Sequence, residues 1–173
     1  MNDVETIFQE ILEGRMSNEA LSEANDRTIP SGSYKLEVTS KELTSAGDKS
    51  PWPGRCMVKV AADAYAKLED GTWKKKGKIF FDLSPVEMRW DSGSLDAPAK
   101  LWANLAAIVG KQASNKEIYE YLGQYPVRGF VSRPFKTVEG KYVTPKTALD
   151  EKALIESGAE PKNFVNNLGV FSG

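Results

Sequence analysis

One segment of the sequence limits the possible folds of this chain more than any other. Residues 72–83 sort onto two faces when they are read as a β-strand, because successive side chains of a strand point to opposite sides. Ile79, Phe81 and Leu83 fall on one face. The other face carries Lys74, Lys76, Lys78 and Phe80. The segment therefore predicts a strand that buries its apolar face and leaves a basic, aromatic face exposed.

The basic face has two explanations. Lysines on an exposed strand discourage edge-to-edge pairing with other chains, so the face could simply be solvated. Alternatively, lysines bind phosphates and an aromatic ring stacks bases, which is the chemistry that single-stranded nucleic acid requires. The rest of the sequence has to decide between them.

The composition excludes most catalytic and metal-binding classes. The chain has 173 residues, 40% of them hydrophobic, which suffices for one domain with appended arms. It has one cysteine and no histidine, which argues against a disulfide framework, a cysteine-rich zinc site and a histidine-dependent triad. No glycine-rich phosphate loop is present. We therefore predict a protein that is not an enzyme and has no metal and no cofactor; carboxylate catalysis would require Asp82, Glu87, Asp91 or Asp96 to converge on one pocket.

Charge is distributed unevenly along the chain. Residues 1–28 have a net charge of −5, residues 29–143 a net charge of +5, and residues 144–173 a net charge of −1. A basic central region between acidic ends favours a polyanionic partner for the middle. The sequence contains no apolar stretch long enough to cross a bilayer and its beginning is acidic, so we expect an intracellular protein without membrane contact.

The order of predicted elements indicates a mainly β fold with helices (α+β). Alternation predicts strands over 32–43, 55–67 and the lysine-rich segment, with Arg55 facing outward on the second strand. A turn at residues 69–71 joins the second strand to the third. Helices are expected after Asp96 and after Ser114. Strand character returns over 125–135, and a turn at 139–140 leads to a strand over 141–144. This order predicts a five-stranded barrel of the oligonucleotide-binding (OB) type, with a helical insert between strands three and four.

The two ends of the chain are predicted to be arms. Apolar residues at helical spacing predict a short helix over 3–13, and Ser17 is a reasonable N-cap for a second short helix. The predicted organisation is an acidic helical N-terminal arm (1–28), an OB-like barrel (29–145) and an extended C-terminal arm (146–173). Apolar residues in both arms favour homo-oligomer formation through them.

Four short segments are distinctive: residues 29–36 at the start of the first strand, 78–82 late in the third, the helix 99–105 followed by Gly110, and the strand 129–131. Over roughly residues 29–145 the chain resembles, through these segments, tailed-phage single-stranded DNA-binding proteins. The resemblance implies an OB barrel that coats single-stranded DNA in the cytoplasm of a bacterial host during phage replication or recombination, with single-stranded RNA as an alternative ligand. It also implies replication or recombination proteins as partners. Such proteins often end in an acidic tail, whereas residues 166–173 carry no charge.

The candidate binding residues follow from pairing strands two and three across their turn, with the flanking loops of an OB barrel added. Trp52 lies on a proline-rich loop, where it could stack on a base or merely cover the end of the barrel. Arg133 and Lys136 are candidate phosphate contacts at the end of the fourth strand. The full predicted set is Trp52, Lys59, Tyr65, Trp73, Lys74, Lys76, Lys78, Phe80, Arg133 and Lys136.

Two other functions remain open at the level of sequence. The arms and the modest net charge would also suit a phage structural or capsid-associated protein that uses the barrel for assembly. A module that blocks a host factor through a nucleic-acid-like surface is a weaker alternative, because the basic middle argues against mimicry of an anion.

Overall fold

The computed structural model describes residues 28–110 and 112–172. Their contacts divide them into two compact units, one formed by residues 28–133 with 162–172 and the other by residues 134–161. The two helices predicted within residues 1–28 lie outside the described residues. The larger unit contains the features that concern function.

The first three strands form the predicted antiparallel meander. They are β1 (Gly32–Ser45), β2 (Cys56–Lys67) and β3 (Trp73–Leu83). The turn between β2 and β3 requires a positive φ at Gly71 (86°), and the Asp70 carboxylate accepts a hydrogen bond from the Thr72 amide at 2.9 Å. Ile79, Phe81 and Leu83 are buried as their alternation predicted.

The two helices predicted after β3 are also confirmed. Helix α1 (Ala97–Val109) begins after Asp96, whose side chain accepts a hydrogen bond from the Ala99 amide. Helix α2 (Asn115–Gln124) begins at a complete capping box, in which Ser114 and Glu117 satisfy each other's backbone amides. Helix α1 packs against β3 and the last strand, and α2 packs against β1. The helices therefore cover the apolar face of the sheet.

Strand β4 (Val127–Ser132) pairs with β1, and β8 (Phe164–Val170) pairs with β4. Within the described residues the main sheet thus has five antiparallel strands in the order β3-β2-β1-β4-β8. A five-stranded α+β fold is therefore correct. In the described part of the chain, however, no ladder joins β3 to β8, so the sheet is not closed into a barrel.

The fifth strand differs from the predicted one. Sequence patterning selected residues 141–144, whereas the sheet takes residues 164–170, which patterning had placed in an extended C-terminal arm. The Asn163 side chain anchors the start of β8 by accepting from the Ile29 amide at 2.8 Å and donating to the Ile29 and Ser132 carbonyls at 2.9 and 3.2 Å. The chain thus returns to the main sheet after residues 134–161.

The smaller unit contains the hairpin predicted around residues 139–140. Strands β5 (Phe135–Lys136), β6 (Tyr142–Val143) and β7 (Glu160–Pro161) form a three-stranded sheet in the order β6-β5-β7. Helix α3 (Ala148–Glu156) is capped by Thr147, which accepts from the Asp150 amide at 3.1 Å. None of the residues of α3 is buried.

Candidate functional site

The surface of interest is the outer face of the main sheet, which we define as the face opposite α1 and α2. Cross-strand partners share a face, so the register assigns each position. Leu36 pairs with Ala64 and Val127, and all three are buried on the helix side. Lys35, one residue earlier, pairs with Tyr65 and Arg128, which places these three positions on the outer face.

A β-bulge at Lys76 changes the predicted distribution of lysines. Ala64 pairs with Gly77, but the next residue, Tyr65, pairs with Lys75, so β3 contains one extra residue. The register beyond the bulge places Lys75 on the outer face, where its ammonium lies 3.3 Å from the Asp63 carboxylate. The same shift brings Trp73 to the outer face.

The bulge makes the predicted face of Lys74 wrong. Lys74 pairs with Ala66, which packs partly against the core, so its register position is on the helix side. Strict alternation had placed Lys74 with Lys78 and Phe80. The last two do lie on the outer face, opposite Asp63 and Ala61 respectively, and Phe80 is 68% exposed.

Positive charge is concentrated at the end of the outer face nearest the β2–β3 turn. We call this region the basic end. Its strands contribute two carboxylates, those of Glu37 and Asp63, each of which faces a lysine at 2.9 or 3.3 Å, and the adjoining turn contributes Glu69 and Asp70. Its cations outnumber them: the register places five there, and the exposed bulge residue Lys76 lies beside them. The five are Lys35, Lys67, Lys75, Lys78 and Arg128.

The opposite half of the outer face is not basic. Lys59 pairs with Glu42 on β1 and with Asp82 on β3, so a carboxylate flanks it on each side. Desolvation raises the pKa of the Asp82 carboxyl, and the Lys59 ammonium partly offsets that rise. Lys59 therefore belongs to a row of opposite charges and adds little net positive potential.

Aromatic rings cluster at the basic end. The Lys35 ammonium lies 5.7 Å from the Tyr65 ring centroid, 5.8 Å from that of Trp73 and 5.3 Å from that of Phe171. The Trp73 and Phe171 centroids are 5.3 Å apart, with the rings inclined at 62°. All four residues are half-buried, so each leaves part of its surface open to solvent. We call these four residues the Lys35 cluster.

Trp52 lies away from this cluster. It sits on the loop between β1 and β2, next to the Cys56 end of β2. Tyr65 lies near the other end of β2, roughly 30 Å from Cys56 along the strand at 3.3 Å per residue. Its ring packs on Trp90 with centroids 5.0 Å apart and lies 5.3 Å from the Arg55 guanidinium carbon. These contacts fit the covering role that the sequence left open.

Arg55 is the centre of a buried polar network beneath Trp52. Its guanidinium forms a bidentate ion pair with Asp96 and donates to the Ser84 hydroxyl at 3.0 Å and the Val86 carbonyl at 2.8 Å. Alternation had predicted an outward-facing Arg55, whereas its side chain and that of Asp96 are each only 3% exposed. Asp96 is thus committed to this pair and to the cap of α1.

The last two predicted residues belong to different units. Arg133 follows β4 in the larger unit, where its Nε donates to the Thr28 hydroxyl at 2.7 Å. Lys136 lies on β5 in the smaller unit, with its ammonium 5.9 Å from the Tyr142 ring. Of the predicted set, the register places Tyr65, Trp73, Lys78 and Phe80 on the outer face near the basic end, and the exposed bulge residue Lys76 lies beside them.

Several residues of the outer face lie outside the predicted set, among them Lys35, Lys67, Lys75, Arg128, Phe130 and Phe171. Lys35 and Lys75 share this face with Tyr65, as the register shows. Arg128 lies 4.9 Å from the exposed Phe130 ring on the same face. Glycine inside a strand often marks a bulge, so Gly77 was a signal for the shift that exposes Lys75. Nothing local in the sequence indicated that Phe171 contacts Trp73.

The described residues contain no group of three or more histidine, cysteine, aspartate or glutamate side chains that could hold a metal ion. No helix within these residues is long and apolar enough to cross a membrane. The chain matches no protein-family model, and neither a curated protein nor a solved structure is detectably similar to it.

Proposed function

We propose that this protein binds single-stranded nucleic acid, with little sequence preference, on the outer face of its main sheet. The observation that carries the proposal is the basic end, where six cations outnumber two strand carboxylates and the two carboxylates of the adjoining turn, beside Tyr65, Trp73 and Phe80. Cations displace counterions from phosphates, and exposed aromatic rings stack on bases of any type. A solvated strand face requires lysines but not this combination of lysines with exposed rings.

The architecture supports the same proposal. An OB fold is a partly open, five-stranded barrel that binds oligonucleotides on the face of strands two and three. The strand order and the helices between β3 and β4 support the proposal of an OB barrel left open between β3 and β8. We propose an OB-like fold on this basis, with the phage setting, the host cytoplasm and the replication or recombination partners resting on the sequence resemblance alone.

The direct test is fluorescence anisotropy with labelled single-stranded and duplex oligonucleotides of equal length at two salt concentrations. We expect salt-sensitive binding that favours the single strand, because rings can stack only on unpaired bases. Absence of binding at low salt by the folded protein would refute the proposal. Salt-resistant self-association instead would favour the alternative of a structural, capsid-associated role.

A matched pair of variants localises the surface. Lys76→Ala/Lys78→Ala removes two cations from the basic end, and Lys100→Ala/Lys116→Ala removes two exposed cations from helices α1 and α2. The first variant should weaken binding and lower the slope of log affinity against log salt by roughly 1.4, since each phosphate contact to a single strand contributes about 0.7. The second should leave both quantities unchanged. Equal effects of the two variants would show that binding depends on overall charge rather than on this face.

A further inference from the structure

Phe171 follows one edge strand of the main sheet and contacts a residue of the other edge strand on the outer face. The strand that it follows is β8, and its ring contacts Trp73 on β3. Lys35 lies on β1, the central strand, and its ammonium is within 6 Å of both ring centroids. Because the Lys35 side chain projects from the outer face, the rings of Phe171 and Trp73 meet on that face.

The geometry of the Lys35 cluster suits one nucleotide. The inclination of 62° between Trp73 and Phe171 is close to edge-to-face, so the pair leaves ring surface that neither partner covers. Lys35 is held in place among the rings and by Glu37 at 2.9 Å. An ammonium has three N–H donors, and the Glu37 carboxylate is a single neighbouring acceptor group. The cluster therefore offers an aromatic surface and a fixed cation within one nucleotide's reach.

We infer that the Lys35 cluster is a single-nucleotide subsite, in which an unpaired base stacks on the open face of Phe171 with the Trp73 ring at its edge, while Lys35 contacts the adjacent phosphate. This inference rests on the proposed function and adds Phe171 and Lys35 to the binding residues. Tyr65 lies under the same ammonium and completes the aromatic wall. The remaining cations of the basic end hold the phosphates on either side.

The test compares a thymidine oligonucleotide with an abasic strand of the same length, which keeps the phosphates and removes the bases. Full-length Phe171→Ala should bind the thymidine strand at least about five-fold more weakly than wild type, the lower end of what one stacked base contributes. Its affinity for the abasic strand and its salt slope should not change. Phe171→Tyr, which keeps a ring, should restore binding.

Tyr125→Ala is the matched control, because it removes an exposed ring that caps α2 rather than one on the outer face, and it should bind both strands as tightly as wild type. Thermal unfolding of each variant establishes that it is folded. If wild type binds the thymidine strand and Phe171→Ala binds it equally well or more tightly, the subsite is refuted while the proposed function stands. An equal loss on both strands would likewise refute base stacking at Phe171. If wild type binds neither strand at low salt, the proposed function itself fails.

Discussion

The buried ion pair between Arg55 and Asp96 permits a quantitative prediction. In Asp96→Ala the Arg55 guanidinium, whose side chain is only 3% exposed in the wild type, loses both carboxylate contacts, and removal of one partner from such a pair typically costs about 3–5 kcal/mol. The same substitution removes the N-cap of α1, which contributes about 1 kcal/mol. We therefore expect the free energy of unfolding to fall by roughly 4–6 kcal/mol, a large part of the 5–15 kcal/mol typical of a domain.

Equilibrium urea unfolding, followed by circular dichroism, measures this loss. Asp91→Ala is the control, because Asp91 lies exposed on the same loop and a surface substitution of this kind usually changes stability by less than about 0.5 kcal/mol. Arg55→Met/Asp96→Ser removes the pair but keeps an oxygen at the N-cap position. This double variant should be more stable than Asp96→Ala, because no unpaired charge is left in the interior.

The reasoning fails if Asp96→Ala unfolds within about 1 kcal/mol of wild type, since the N-cap alone would account for that loss. It also fails if the double variant is less stable than Asp96→Ala. The first result would mean that water or another group replaces the carboxylate. The second would mean that Arg55 stabilises the structure through its packing under Trp52 rather than through the ion pair.

Two further predictions concern packing and pH. Gly129→Ala should lower the free energy of unfolding by about 1–3 kcal/mol, because the added Cβ would lie 2.4 Å from the fully buried Leu36 side chain. Gly169→Ala should cost less, because a Cβ at that position would meet no atom within 4 Å. Equal urea midpoints for the two variants would contradict this prediction. Desolvation raises the pKa of the Asp82 carboxyl in the folded state, so the protonated carboxyl favours folding and its ionisation opposes folding. The stability that the protonated carboxyl contributes is complete below the unfolded pKa and is lost as pH rises through the folded pKa. Wild type should therefore gain stability relative to Asp82→Asn as pH falls from neutral to acidic; a difference that stays constant with pH would refute the assignment.

Much of the fold was predictable where local patterns agree with the tertiary structure. The meander of three strands follows from alternation, and the caps at Asp96 and Ser114 mark both helices correctly. The fifth strand was missed because residues 164–170 contain two asparagines and a glycine, and a bulge between Asn167 and Val165 interrupts their alternation. Its place in the sheet depends on long-range pairing with β4, which no local pattern records.

The candidate site was predictable only in part for a similar reason. Residues 74–76 are all lysines, so an extra residue among them does not change the polar pattern of the strand. The bulge at Lys76 therefore could not be detected from the alternation of polar and apolar residues, and Gly77 was the local signal for it. Arg55 was assigned to the exterior because its partner Asp96 lies 41 residues later in the chain. Phe171 could not be placed for the same physical reason, since its contact with Trp73 depends on where β8 joins the sheet.

The open sheet has a consequence for aggregation. Its edge strands, β3 and β8, are positions where a foreign strand could add and start a fibril. On β3, pairing with β3 of a second copy would bring the exposed lysines of the two strands together and their charges would repel. These lysines are Lys74, Lys75, Lys76 and Lys78. On β8 the Leu168 amide donates to the Asn104 side chain of α1 at 2.9 Å, so a helix satisfies one of the edge's own hydrogen-bonding groups. One edge is thus protected by charge, which salt weakens, and the other by a hydrogen bond, which salt does not screen.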